Sequence, residues 1–348
     1  MTIQSAVQDG DAVMPETDAR TWVRILSKYR EPSHRRSAFE IAVTAVPLMA
    51  LWVLAWASLS VSVWLAIGIS IVNAGFLVRL FAIQHDCGHG SLFRNRRLGD
   101  WVGRVLGVVT LTPYDVWKTT HALHHASSGN LDRRGIGDVM TLTVDEYRSR
   151  SWTGRLSYRL YRNPLIMFLV GPAWLFYCQH RVPLGVGGRR VWISAMGTNI
   201  AIVCLLALVV WTVGVAPVVF LWLPTTFFAA AIGVWMFYVQ HQFEDTVWQE
   251  EQDWQLHHAA AHGSSHYILP QPLQWMTANI GVHHVHHLQS RVPFYRLTEV
   301  LRDHPDLDQV QRLSVRQSLS SIKLKLWDER HQKLVSFRDA RQSDVRVA

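Results

Sequence analysis

Cysteine is scarce, with Cys87, Cys178 and Cys204 the only three in 348 residues. Three scattered thiols exclude a disulfide framework and a zinc ribbon. Cys204 lies inside an apolar run and reads as a small hydrophobe. Charge is also sparse: Asp, Glu, Lys and Arg make up 17%, against about 25% in ordinary soluble domains. With 49% of residues apolar, the chain cannot stay solvated and disordered, and two soluble domains, which the length would allow, are disfavoured. No basic-then-apolar leader opens the sequence, and no repeat or low-complexity tract interrupts it.

Long apolar runs are plentiful. Ile41 to Leu59 and Val61 to Ile83 form one pair, and about Val191 to Val213 and Ala216 to Val239 form another. Each is close to the roughly 20 residues that a helix needs to cross about 30 Å of hydrocarbon. The members of each pair are joined by very short links, so they read as two helical hairpins with both tight turns on one face of a membrane. The segments 1–40, 84–190 and 240–348 then share the other face. Of 34 Lys and Arg, 33 fall in those segments and the remaining one is Arg79. By the positive-inside rule that face is expected in the cytoplasm, at a bacterial inner membrane. The net charge of +8 is therefore topological, and a nucleic-acid role loses its support. Trp101–Thr112 and Leu165–Cys178 are too short to span and are expected to lie on or dip into the membrane surface. Sixteen tryptophans suit interfacial belts.

All 18 histidines lie in the same three segments. His85 and His89 stand at i and i+4 directly after the second run. His121, His124 and His125 have i, i+3, i+4 spacing, which puts three rings on roughly one helix face. His283, His286 and His287 repeat that spacing, and His241 sits where the fourth run ends. A single pair of this kind is common by chance; three clusters on one face of one membrane point to metal. Imidazole suits iron, zinc, copper and nickel, so softness does not select among them. Two, three and three cluster donors with His241 make nine nitrogens, too many for one tetrahedral zinc. Nine donors suit two octahedral-type ions that keep open positions.

His85-Asp-Cys-Gly-His89, His121-Ala-Leu-His124-His125 and His283-His284-Val-His286-His287 resemble the three histidine boxes of the membrane fatty acid desaturases. The resemblance covers about residues 40 to 300. It extends to the bacterial acyl-lipid branch through Asn130-Leu-Asp-Arg-Arg-Gly-Ile-Gly-Asp138, Gln240-His241-Gln-Phe-Glu244, Gly263-Ser-Ser265, Asn279-Ile-Gly281 and Pro293-Phe-Tyr-Arg-Leu297. It implies an all-α integral membrane protein: four transmembrane helices as two hairpins, with a cytoplasmic helical cap carrying the boxes. The segments would be 1–40 (N-terminal), 41–83 (hairpin), 84–190 (boxes 1 and 2), 191–239 (hairpin), 240–300 (His241 and box 3) and 301–348 (a basic, partly helical tail).

The implied activity is an O2-dependent fatty acid or acyl-lipid desaturase with two non-haem irons. The implied ligands are His85, His89, His121, His124, His125, His241, His283, His286 and His287, with His257 and His266 as possible additions. The centre itself carries the catalysis, with no separate acid or base. Ligand imidazoles need a partner for the second ring nitrogen, and Asp86, Asp115, Asp138, Glu244 and Asp245 are the candidates. Trp101, Trp117, Trp248 and Trp275 are candidates for a substrate channel, although an interfacial belt explains tryptophans equally. Arg133 and Arg134 would meet a phosphate headgroup or an acidic donor, or form a plain basic loop. No haem motif and no dinucleotide-binding Gly-rich turn is evident, so electrons come from a separate carrier, a ferredoxin or similar. A hydroxylase or ketolase of the same superfamily is the alternative. A metal transporter is remote, because the apolar runs contain no histidine and one charged residue, Arg79.

Overall fold

A computed structural model describes residues 19–135 and 137–342. The first 18 residues of the N-terminal segment, Ile136 of the Asn130–Asp138 motif and the last six residues of the tail lie outside the described residues. Helix dominates. After α1 (Ala19–Leu26), α2 (His34–Ser58) starts at Ser33, whose hydroxyl accepts the Arg36 amide at 3.3 Å. A turn through residues 59–62 leads into α3 (Val63–His89), capped by Ser62 at its start. Both helices are long and apolar enough to cross a membrane. At about 1.5 Å per residue, the 27 residues of α3 run for about 40 Å, some 10 Å more than the hydrocarbon requires. The surplus is the end that carries His85 and His89. Gly90 closes it at φ +65°, a left-handed cap that glycine adopts without strain.

α4 (Arg96–Val109) and α5 (Tyr114–Ser127) follow, then α6 (Val144–Ser149) and α7 (Trp152–Tyr161). α4 exposes Leu98, Trp101 and Val105 on one side while burying Gly99, Gly103 and Leu106, as a helix lying in an interface does. The Leu165–Cys178 stretch forms a π-turn at Ile166–Val170 and α8 (Gly171–Tyr177), too short to span. α7 was not expected at the interface, yet Trp152, Leu156 and Leu160 project outward from it. The third long helix is α9 (Arg189–Val213), and the fourth, Val218–His241, is a π-turn continued by α10 (Leu223–His241). α9 leaves Trp211 83% and Val203 65% exposed, the outward apolar surface of a lipid-facing helix.

Ala55, Ala66 and Leu221 pack together, which brings the ends of both hairpins next to each other. Thr225 Oγ1 donates to the Ser70 carbonyl at 3.1 Å, so α3 and α10 lie side by side from their starts. Both tight turns therefore sit at one end, with His85, His89 and His241 at the other. Midway, Arg79 is buried against Glu40 of α2, the Thr44 hydroxyl at 3.1 Å and the Trp275 carbonyl. The sole charged residue of the apolar runs thus has a buried partner, as a charge removed from water needs.

The polar end is closed by α11 (Leu256–His262), α12 (Gln271–Met276) and α13 (His283–Leu288). Among the described residues, strand is limited to five short pieces. β1 (Leu142–Thr143) pairs in parallel with β4 (Leu326–Asp328), which forms a hairpin with β5 (Lys333–Val335); β2 (His266–Ile268) pairs in parallel with β3 (Arg312–Ser314). The tail is thus woven into the cap rather than appended. Buried Arg162 fastens it, donating to the Leu324 carbonyl at 3.0 Å and to Gln242 Oε1 at 2.8 Å, and Gln242 adjoins His241.

Candidate metal centre

The nine histidines converge from four helices. α3 supplies His85 and His89, α5 supplies His121, His124 and His125, α10 supplies His241 at its last residue, and α13 supplies His283, His286 and His287. They form two groups: His85, His89, His121, His125 and His286 in one; His124, His241, His283 and His287 in the other. Within each group the ring nitrogens lie within 4.8 Å of one another.

The division cuts across the boxes. On α5 the i, i+4 pair His121/His125 joins the first group and His124 the second; on α13 the i, i+4 pair His283/His287 joins the second and His286 the first. Each helix turns about 100° per residue, so i+3 falls to one side of the line through i and i+4. One helix can then serve two adjacent ions. The three rings of a box, expected on roughly one face, are shared between two groups for this reason.

Ring partners decide which nitrogens are free. His124 Nδ1 is 2.7 Å from Asp138 Oδ1, His241 Nδ1 is 3.1 Å from the Gly263 carbonyl, and His85 Nδ1 is 3.2 Å from Asp86 Oδ1. Carboxylates and carbonyls accept, so these contacts suit an Nδ1–H in each ring, and in a neutral ring of that kind Nε2 keeps a lone pair. Yet His124 Nε2 is 3.1 Å from His241 Nε2, which is 3.0 Å from His283 Nε2, itself 3.1 Å from His287 Nε2. In the first group, His125 Nε2 lies 3.1 Å from both His121 Nε2 and His286 Nε2. Burial, reinforced by the neighbouring imidazoles, pushes His121, His125, His283, His286 and His287 well below the usual histidine range, which leaves them neutral. Converging lone pairs repel unless a cation sits between them. Metal–nitrogen bonds of about 2.1 Å at right angles put neighbouring nitrogens about 3.0 Å apart, which matches the spacing present. His89 Nε2 and Asp138 Oδ2 are buried without a partner. The residues fit a pair of metal ions.

Other candidates are placed differently. His257 is in neither group. His266 lies beside Asp308, its Nδ1 3.2 Å from that residue's carbonyl, and its ring faces His284 at 5.5 Å. His284 is fully buried with Nε2 2.9 Å from the Leu307 carbonyl, and burial lowers its pKa to about 3. Asp86 and Asp138 touch imidazoles of the groups; Asp115 instead binds Arg104 and Arg190, Glu244 approaches Lys333 at 3.9 Å, and Asp245 is exposed. The Gly263 carbonyl had no side-chain signature to announce it. Trp117 stacks on His121 at 4.4 Å and 20°. Trp248 packs with Leu131, Trp327 and Leu334, Trp275 lies under Arg79, and Trp101 faces outward. Arg133 pairs with Glu251 and Arg134 with Glu146.

Comparison with known sequences identifies the architecture. The profile described as Fatty acid desaturase matches residues 62–318. A protein of Bacillus subtilis (strain 168) named "Fatty acid desaturase" is 42% identical over 313 residues, 90% of this chain and 89% of that one. The chain belongs to the fatty acid desaturase family. Two cyanobacterial desaturases are further relatives. The "sn-1 acyl-lipid omega-3 desaturase (ferredoxin)" of Synechocystis sp. is 32% identical over 68% of this chain and 66% of its own. The "sn-1 oleoyl-lipid 12-desaturase" of Anabaena variabilis is 25% identical over 81% and 80%. This desaturase is accordingly an oxidoreductase and a helical membrane protein, and its two histidine groups are compatible with a non-haem metal site.

Proposed function

We propose that this desaturase introduces a double bond into an acyl chain of a membrane lipid, using two irons, O2 and electrons from a ferredoxin-like carrier. The observation that carries the proposal is the pair of histidine groups, five and four neutral-type donors, with Nε2 atoms converging at 3.0–3.1 Å. The five nitrogens of one group and the four of the other would be the iron ligands. Iron in an open-sided nitrogen site supplies the oxidising power that an unactivated alkyl C–H bond demands. In the overall balance, two adjacent C–H bonds each lose one hydrogen, the carrier delivers two electrons, and with two protons O2 leaves as two waters.

The chain's own residues prepare this chemistry. Asp86, Asp138 and the Gly263 carbonyl hold the Nδ1–H of His85, His124 and His241 and so aim the opposite nitrogens inward. The second group is buried throughout, whereas His89, His121 and His125 of the first keep part of their surface accessible. That side is the approach for an alkyl chain, with Trp117 flattened against His121 as one wall. A substrate already lying in the bilayer reaches it laterally, while the cap segments 84–190 and 240–300 keep the site at the aqueous edge. The concentration of Lys and Arg in those segments supports an orientation with that edge on the cytoplasmic side of a bacterial inner membrane.

The test is expression in a host whose lipids hold only saturated and monounsaturated chains, followed by mass spectrometry of the lipids and metal analysis of the purified chain. A new double bond and about two irons per chain are expected. A hydroxylated product without new unsaturation would overturn the proposal.

A further inference from the structure

Arg133 and Arg134 are engaged with Glu251 and Glu146. Three segments converge beside the metal centre: the stretch before α2, the turn after His89 and the turn after α13. Arg296 donates to the carbonyls of Tyr29 at 3.1 Å and Glu31 at 3.5 Å. The Ser33 amide donates to the Tyr295 hydroxyl at 2.9 Å, and the Ser37 hydroxyl donates to the Leu92 carbonyl at 2.6 Å. Each segment contributes arginines: Arg94 and Arg296 are paired with Glu31 and Glu299, whereas Arg30, Arg96 and Arg291 are not in ion pairs among the described residues.

Arg96 is exposed, Arg30 and Arg291 are half-buried, and none of the three forms an ion pair among the described residues. Arg291 Nε is buried without a partner. Burial and the charges of Arg30 and Arg96 together lower the Arg291 pKa, while Glu31 opposes them. Glu31 itself reaches Arg94 at 3.4 Å. Three neighbouring cations beside one acid, Glu31, on which Arg94 also draws, repel one another, so their placement suits an anionic partner. Position narrows the choice. Gly90, against which the Arg96 side chain lies, directly follows His89; Arg291 comes four residues after His287. The patch therefore stands over turns leading from one histidine of each group. Arg36, the cation one turn into α2 and nearer the membrane, is already paired with Glu40.

We propose that Arg30, Arg96 and Arg291 form the docking face for an acidic electron-carrier protein. The proposal rests on the desaturase reading, in which two electrons per double bond arrive from outside. A one-electron carrier docks twice, is oxidised each time and departs; the two electrons, two protons and two substrate hydrogens reduce O2 to two waters. Guanidinium forks suit surface carboxylates, and unpaired charge at a rim raises the rate of encounter while remaining sensitive to salt.

The test uses the full iron-loaded chain in phosphatidylcholine nanodiscs and an acidic ferredoxin as probe, with its Kd measured at low and high ionic strength. The double variant Arg96→Glu/Arg291→Glu should weaken binding about tenfold or more and flatten its salt dependence. The Arg96→Lys/Arg291→Lys variant should retain most of the affinity, and Arg330→Glu, on the β4–β5 hairpin, should leave it unchanged. Equal iron content in all preparations guards against misfolding. Unchanged ferredoxin affinity in the charge-reversed chain would overturn the proposal. So would an effect seen only when phosphatidylglycerol is added to the discs, which would make the patch a lipid-headgroup site. Lipid unsaturation driven by dithionite is read in the same discs: its absence counts against the desaturase reading, whereas carrier affinity that ignores the arginines counts against the docking face alone.

Discussion

His124 Nε2 and His241 Nε2 face each other at 3.1 Å, and both rings have already committed Nδ1, His124 to Asp138 and His241 to the Gly263 carbonyl. With Nδ1 of both rings engaged, the two facing Nε2 atoms are placed to hold a metal ion between them. Asp138→Asn should leave the fold intact and weaken iron binding about 10–100-fold, as measured by metal titration of the apo chain. Wild-type affinity in that variant would mean that Asp138 does not orient the ring.

The two-group arrangement separates neighbours on one short helix. His286→Ala removes a donor from the first group and His124→Ala one from the second, and each should abolish iron binding and unsaturation together. His284→Ala should keep its iron, because His284 faces the Leu307 carbonyl; its cost should appear in thermal stability. Full activity in either of the first two variants would refute the ligand assignment.

Gly88 lies between two histidines of box 1, where an added Cβ would come within 2.6 Å of Trp117 Cζ3. Trp117 is stacked on His121 and cannot retreat without disturbing that ring. Gly88→Ala should therefore lower iron content and product yield. Pairing it with Trp117→Leu should recover much of the iron, and metal analysis of the single and double variants checks this.

Glu40 and Arg79 are each 1% exposed and bind each other. Removing one partner strands a buried charge, so Glu40→Gln or Arg79→Met should each destabilise the chain by about 3–5 kcal/mol. The double variant should cost clearly less than the two singles combined. Chemical unfolding in detergent gives all three values, and simple additivity would show that the pair does not act as a unit.

Cysteines placed at residues 133 and 290 should react with an impermeant thiol reagent from the same side of the membrane, and cysteines at residues 60 and 215 from the other. Labelling of 133 and 290 from opposite sides would be incompatible with a shared metal centre.

Much of this was legible in the chain because it depends on local order. A run of about 20 apolar residues specifies a membrane-crossing helix wherever it stands. The brevity of the links dictates hairpins, and i, i+4 spacing puts His85 with His89 and His121 with His125 on one side of a helix. The nine histidines could be singled out from eighteen on that ground, together with the resemblance of the boxes.

The five-and-four division could not be read in the same way. His124 and His125 are adjacent in sequence, but they enter different groups because α13 approaches α5 so that His286 meets His125 while His283 and His287 meet the side bearing His124 and His241. The choice of Asp138 over Asp115 as a ring partner, the use of a glycine carbonyl behind His241 and the assembly of Arg30, Arg96 and Arg291 from three distant segments have the same origin. Sequence by itself determined the long helices, their hairpins and the set of candidate metal-binding side chains, since hydropathy and helical period act over a few residues. Tertiary structure alone decided which nitrogens are grouped together and which groups aim them, because such contacts join residues far apart in the chain.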